Sequence, residues 1–290
     1  MIRPAFEWGA RTYVMGIINV TPDSFSGDGL QGVARIGAAL AQAEAMVAAG
    51  AHILDVGGES TRPGGSPVEL DQELERVVPV VEALSARIAV PISIDTYKSE
   101  VARQAIAAGA SIVNDIWGLR MDPAMGAVVA ASGAYIVLMH NRSRPRDAVQ
   151  EARLGGRYVA IDYTDLIADV KRELLESVAL AQAAGIADDR IILDPGIGFG
   201  KTVEQNLELV ARFGAFRDLG YPVLAGPSRK SFIGYTLDLP PDQRAEGTAA
   251  VVALCIDRGA DIVRVHDVAA IGRVARMTDA VVRRSRPSPA

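Results

Sequence analysis

The chain has 290 residues, 49% of them hydrophobic, with a formal net charge of −5. That size suits one barrel-sized domain or two smaller ones, and the absence of a Lys/Arg-rich tract with interleaved aromatics argues against a nucleic-acid surface. The N-terminal MIRPAFEWGARTYVMG lacks the apolar core of a signal peptide, the most apolar helical stretches carry Gln and Glu in any 20-residue window, and a single cysteine, Cys255, leaves no internal disulfide, so a soluble cytoplasmic protein with no membrane contact is expected.

Short β-rich runs alternate with longer Ala-rich helical runs. The predicted strands, in chain order, are YVMGII (13–18), HILDV (52–56), PISID (91–95), SIVND (111–115), YIVLM (135–139), RIILD (190–194), PVLAG (222–226) and DIVRV (261–265). Helical patterns such as LDQELERVVPVVEALS and TDLIADVKRELLESVALAQAAG fill the gaps, and several end in glycine before the next strand. The strands are almost continuously apolar, as parallel strands covered on both faces should be. Eight strand–helix units predict a single-domain α/β fold, a (β/α)₈ barrel. A doubly wound open sheet is the alternative arrangement of the same alternation. The expected boundaries are an N-terminal segment 1–12, a barrel 13–282 and a flexible tail 283–290. RSRPRDAVQEARLGGRY (142–158) reads as a polar excursion after the fifth strand.

Working residues in such barrels sit at the carboxyl ends of the strands. Those ends are polar throughout. They carry Asn19, then Glu59, Thr61 and Arg62, then Asp95, then Asn114 and Asp115. His140, Asp194, the Ser228-Arg229-Lys230-Ser231 run, and finally Arg264 and His266 complete the series. Any one of them fits an ordinary cap or turn. Together they suit a polar ligand that bears both hydrogen-bond donors and negative charge. Arg264 and His266 are two apart, so they share a strand face, and an inward cationic pair favours an anion such as phosphate. His52 opens the second strand and belongs to the opposite end.

The stretch DPGIGFGKT (194–202) invites a P-loop reading, but Pro195 stands where the first glycine of G-x-x-x-x-G-K-[ST] belongs. Proline offers a phosphate no N–H. The expectation is a tight turn carrying Asp194, with Lys201 and Thr202 starting the next helix.

VMGIINVTPDSFSGDG, LDVGGESTRPGG, SIDTYKSEVARQA, IVNDI, LDPGIGFGKT, LAGPSRKSFIG and RVHDV together resemble the dihydropteroate synthases, the pterin-binding enzymes of the folate pathway. The resemblance runs from Tyr13 to Val268, one motif per strand. It implies condensation of 6-hydroxymethyl-7,8-dihydropterin diphosphate with 4-aminobenzoate to 7,8-dihydropteroate and diphosphate. It implies that Asp194, Asn114 and Asp95 read the pterin edge and that Lys230 donates to the ring. Arg264 would stack on the ring and His266 would meet the diphosphate, with Asp95, Lys230, Arg264 and His266 as the catalytic set. Phe25, Thr61, Arg62, Pro63, Phe199, Lys230 and Ser231 would build the aminobenzoate and substrate pocket. Asn19 would be the protein ligand of a Mg²⁺ carried in with the diphosphate. The family further implies a homodimer packed through the last helices.

Three places depart from the family pattern: Ser-Gly-Asp-Gly after Phe25, Trp117 before Gly118, and Met-His-Asn-Arg after the fifth strand. A methyltetrahydrofolate-type methyltransferase barrel and a pterin-binding homologue without synthase activity remain as alternatives. A Schiff-base aldolase using Lys230 is disfavoured by the polar neighbours of that lysine.

Overall fold

The computed structural model of the protein describes residues 6–21, 33–60, 67–144, 147–159 and 161–284. The strands fall where alternation placed them: β1 (Tyr13–Asn19), β2 (Ile53–Gly57), β3 (Ile92–Asp95), β4 (Ile112–Asp115), β5 (Tyr135–Met139), β8 (Ile191–Asp194), β9 (Leu224–Ala225) and β10 (Ile262–Val265). They form one parallel sheet in the order β8-β5-β4-β3-β2-β1-β10-β9. Its two edges meet. Leu193 bridges Val223 in parallel, and the Leu193 amide donates to the Pro222 carbonyl at 2.9 Å. The sheet therefore rolls into the eight-stranded barrel rather than the open alternative.

Helices α1 (Val33–Ala48), α2 (Leu70–Arg87), α3 (Ser99–Ala108), α4 (Met125–Ser132), α5 (Leu166–Ala183), α6 (Val203–Ala211), α7 (Ser231–Leu237), α8 (Ala245–Asp257) and α9 (Val268–Val282) cover the outside. Each lays an apolar stripe on the barrel; on α2 it is Val77, Val80, Val81 and Leu84. Helix α4 stops at Gly133, whose φ of 67° is the left-handed cap conformation expected of a terminal glycine.

The period-two rule decides what fills the barrel. Tyr13, Met15, Ile53, Ile112, Tyr135, Val137, Ile192, Leu224 and Ile262 pack together inside it. Phe6 and Trp8, stacked at 4.5 Å, close the amino-terminal end, where Phe6 also meets Tyr13 and Tyr135 edge-on. Two residues further along the same strands come Asp55, Asn114, Asp194 and Arg264. The alternation that points Ile53, Ile112, Ile192 and Ile262 inward must point these inward too. An apolar plug thus supports a polar layer at the carboxyl-terminal mouth. His52, as expected, lies at the other end, its Nδ1 accepting from the Val14 amide at 3.0 Å.

The 142–158 excursion is more ordered than its sequence suggests. Strands β6 (Ala148–Val149) and β7 (Arg157–Tyr158) pair antiparallel within it. Two-residue strands carry no alternation to read. The hairpin is fixed from outside by Arg244, which is only 2% exposed. Its guanidinium donates to the carbonyls of Leu154 (2.8 Å), Arg229 (2.9 Å) and Leu239 (3.1 Å). One buried side chain joins the hairpin, the loop that carries Lys230 and the α7–α8 connection. Replacing it strands three carbonyls away from water. Arg244→Met is expected to lower the free energy of unfolding by about 2–4 kcal/mol, measured by urea denaturation; a loss below about 0.5 kcal/mol would show the joint to be dispensable.

Candidate active site

The polar layer is held by one shared cation. Arg264 donates from Nε to Asp55 Oδ2 and from Nη2 to Asp95 Oδ2, both at 2.6 Å. Asn114 Nδ2 donates to the same Asp55 oxygen at 3.2 Å. Asp55 is fully buried, and its other oxygen, Oδ1, has no hydrogen-bond partner among the described residues. Burial opposes the charge on Arg264, but Asp55 and Asp95 outweigh it and hold its pKa above the ordinary value. Burial raises the Asp95 pKa; Arg264 opposes that rise and the Asp55 charge adds to it.

The second cluster is built by the turn after β8. Asp194 is buried, and its Oδ1 accepts from the Gly196 amide at 2.7 Å. Gly196 sits at φ 74°, and a Cβ there would lie 1.9 Å from the His140 carbonyl oxygen, so only glycine lets the turn close on β5. Lys230 reaches across from the loop after β9. Its ammonium donates to the Ile197 carbonyl and lies 4.2 Å from the centre of the Phe199 ring. Burial lowers its pKa to about 7, Asp194 opposing that fall and Arg264 adding to it. Burial also raises the pKa of Asp194, against the pull of Lys230. The two clusters adjoin: a Cβ on Gly226 would lie 3.9 Å from both Arg264 Cβ and Lys230 Nζ.

The remaining rim residues are set by pairing between loops. Ser228 Oγ lies 2.9 Å from His266 Nδ1 and accepts from the His266 amide at 3.1 Å. Arg229, at φ 56°, is bound by both oxygens of Asp267, at 2.6 and 3.0 Å. Ser231 begins α7. Asn19 is the last residue of β1, in register with Gly57 and partly exposed at the mouth. The base of the loop after β2 is clamped by Lys98, whose ammonium binds Glu59 Oε2 (2.7 Å), the Val68 carbonyl (2.7 Å) and Glu73 Oε2 (2.5 Å). Phe25, Thr61, Arg62 and Pro63 lie outside the described residues.

Of the residues singled out from sequence, Asn114 and Arg264 are joined through Asp55, Asp95 is joined to them through Arg264, and Asp194, Phe199 and Lys230 are joined through one turn. Two buried polar residues of these clusters, Asp55 and Lys201, do not stand out in the sequence as functional positions. Asp55 lies inside HILDV rather than at its end; counting two residues back from Gly57 and two on from Ile53 would have found it. Lys201 does not begin a helix. Thr202 is the N-cap of α6, its side chain and that of Gln205 forming a capping box, while Lys201 is buried at 2% exposure beneath the turn. Trp117 follows β4 in a turn, its amide donating to Asp115 Oδ1 at 2.8 Å, and touches none of the clustered site residues through a hydrogen bond.

Comparison with known proteins agrees with this geometry. Residues 15–266 match the family model described as pterin binding enzyme. Dihydropteroate synthase of Bacillus subtilis (strain 168) is 50% identical over 278 residues, covering 96% of this chain and 91% of that protein. A crystal structure of dihydropteroate synthase from Clostridium difficile, in the presence of pteroic acid, matches with a TM-score of 0.88 at 46% identity, over 96% of this chain and 100% of that one. Xanthomonas albilineans dihydropteroate synthase with 4-aminobenzoic acid matches with a TM-score of 0.85 at 42% identity, over 96% and 95% of the two chains. The chain belongs to the pterin-binding enzyme family, in its dihydropteroate synthase branch.

Proposed function

We propose that the chain condenses 6-hydroxymethyl-7,8-dihydropterin diphosphate with 4-aminobenzoate, giving 7,8-dihydropteroate and diphosphate. The observation that carries this reading is the acceptor-rich layer at the mouth. Among the described residues Asp55 Oδ1 is buried without a partner, Asn114 donates to the other Asp55 oxygen, and Asp95 and Asp194 both act on the adjoining Arg264. A buried acceptor left empty costs about 1–3 kcal/mol. A flat heterocycle whose edge offers adjacent N–H and amino donors would satisfy it. Asp194 accepts two such donors with one carboxylate, Asp55, Asp95 and Asn114 read the other ring nitrogens, and Lys230 donates to the ring carbonyl. Arg264 presents its guanidinium plane beside the ring, which a lysine could not do as well.

The chemistry follows from charge. The C–O bond to diphosphate breaks, the electron pair leaving on the diphosphate oxygen, and the electron-rich ring spreads the resulting positive charge from the exocyclic carbon. The aromatic amine then attacks that carbon and sheds a proton. Arg264 and His266 stabilise the negative charge gathering on the leaving group. Phe199, Ser231 and Lys230 would line the aminobenzoate side, and a closed pocket there would keep water from the cation.

Among the described residues no group of three His, Cys, Asp or Glu side chains forms a metal cage. The donors present at the mouth fit a Mg²⁺ that arrives on phosphate oxygens and needs one protein oxygen, the amide of Asn19. When bound, it would neutralise diphosphate charge. A methyltetrahydrofolate-type methyltransferase would need no diphosphate site and leaves His266 and the phosphate-facing role of Arg264 without work.

The homodimer reading rests on α9 and α8. Met277 and Val281, four apart on α9, are 66% and 65% exposed, and Leu254 on α8 is 43% exposed. No helix among the described residues is long and apolar enough to cross a membrane, and the one cysteine is buried and free, in keeping with a cytoplasmic enzyme.

Purified protein should release diphosphate only with both substrates present. Asp194→Asn should cut kcat/KM by at least about a hundredfold, because one acceptor becomes a donor facing a donor; near-normal kcat/KM would remove Asp194 from pterin recognition. Full turnover in excess chelator would remove Asn19 from a metal role. Light scattering should give a dimer, and Met277→Glu with Val281→Glu a monomer; an unchanged mass would place the interface elsewhere.

A further inference from the structure

A network behind the turn after β8 is not accounted for by substrate contacts. Lys201 Nζ donates to three acceptors at 3.0 Å: the Gly196 carbonyl, the Phe199 carbonyl and His140 Nδ1. When Lys201 is charged it can only donate, so Nδ1 is then the bare nitrogen of His140 and Nε2 carries the proton. That Nε2 meets Glu173 Oε2 on α5 at 3.0 Å. Glu173 is gripped in turn by Arg142, whose Nε lies 3.0 and 3.1 Å from its two oxygens. Arg142 also lies 4.3 Å from the centre of the Tyr163 ring, and the Tyr163 hydroxyl donates to the Gly200 carbonyl at 2.8 Å. The chain of contacts begins and ends on the 195–200 turn.

A buried lysine that only filled space would be a poor choice, since taking an ammonium out of water is costly. This one touches the two residues of the turn that matter for binding. Gly196, whose carbonyl it holds, gives its amide to Asp194 Oδ1. Phe199, whose carbonyl it also holds, places its ring against Lys230.

We propose that Lys201 is a positioning residue for both substrates: from beneath the turn it fixes the Asp194 carboxylate and the Phe199 ring, and its charge keeps Asp194 available as a double acceptor. This rests on the pterin-site reading above. The charged groups acting on Asp194 are Lys230 from the loop after β9, Lys201 from its own turn and Arg264 from β10. Those acting on Lys201 are Asp194, Lys230, Glu173 and Arg142, beside the neutral ring of His140. Burial and Lys201 hold that ring unprotonated, with a pKa of about 3, while Glu173 pulls the other way. Burial also lowers Lys201 to a pKa of about 7, so it is charged on the acid side, where Asp194 would take up a proton.

The sign follows. Protonated Asp194 loses an acceptor, so pterin binding weakens on acidification. The positive charge of Lys201 pushes that loss to lower pH, and removing the charge moves it to higher pH.

The experiment is calorimetric titration of 6-hydroxymethylpterin into the full-length wild type, Lys201→Met and Lys201→Gln between pH 5 and 8, with thermal melts as folding controls. Lys201→Met should bind at least about tenfold more weakly at pH 7. Lys201→Gln keeps a donor for the carbonyls without the charge, so the acid limb should rise by about 0.5–1 pH unit with a smaller loss of affinity. Should the methionine variant fail to fold, the glutamine variant decides by its acid limb. Folded variants that match the wild type in affinity and acid limb would overturn the role of Lys201 and leave the pterin site intact. A wild type that binds no pterin would overturn both.

Discussion

The guanidinium of Arg264 lies between two carboxylates from neighbouring strands, Asp55 on β2 and Asp95 on β3, and the mouth of the barrel is organised around that contact. Three ionisable groups, Asp55 fully and Asp95 and Arg264 largely buried, meet there with imperfect satisfaction, since among the described residues one oxygen of Asp55 has no partner. Such an arrangement is poor value as stability: replacing a buried ionic cluster by packed apolar side chains is often neutral or favourable. It makes sense as a recognition surface kept ready for a ligand, in which the protein holds its acceptors in place and the ligand supplies the missing donors.

The barrel makes this arrangement possible through strand periodicity. Inward apolar residues form the plug, and the next inward residues, two positions on, form the ionic layer. The loops then add what strands cannot reach. The turn after β8 presents Asp194 on one side and Phe199 on the other. The loop after β9 sends Lys230 back over that turn, and the Ser228–His266 contact joins it to the end of β10. The mouth sets the carboxyl groups of Asp55, Asp95 and Asp194 beside the basic groups of Arg264 and Lys230, so it can offer acceptors to a neutral ring and donors to an anionic tail.

Much of this was legible in the sequence because the strands are short, apolar and end in polar residues. Asp95, Asn114 and Asp194 stood at those ends, and family resemblance gave them a shared purpose. Asp55 was harder to see because it lies within an apolar run, where a polar residue carries no terminal signal. Arg264 was expected to face an anion, yet in the structure it is engaged by carboxylates, one of them 209 residues away in the chain; no local pattern announces such a pair. The expectation that Lys201 and Thr202 start a helix holds for Thr202, the N-cap of α6, whereas the Lys201 side chain turns inward beneath the turn, a direction that no local pattern announces. The β6–β7 hairpin was hidden because its order comes from Arg244, far along the chain.

Recognition at the mouth turns on where a pterin sits. A crystal structure with bound 6-hydroxymethylpterin is the decisive measurement. The expected result places the ring among Lys230, Arg264 and the acceptor layer, with Asp194 and Asp55 each within about 3.2 Å of a ring donor. A ring bound elsewhere, with Asp55 Oδ1 still lacking a partner, would contradict it.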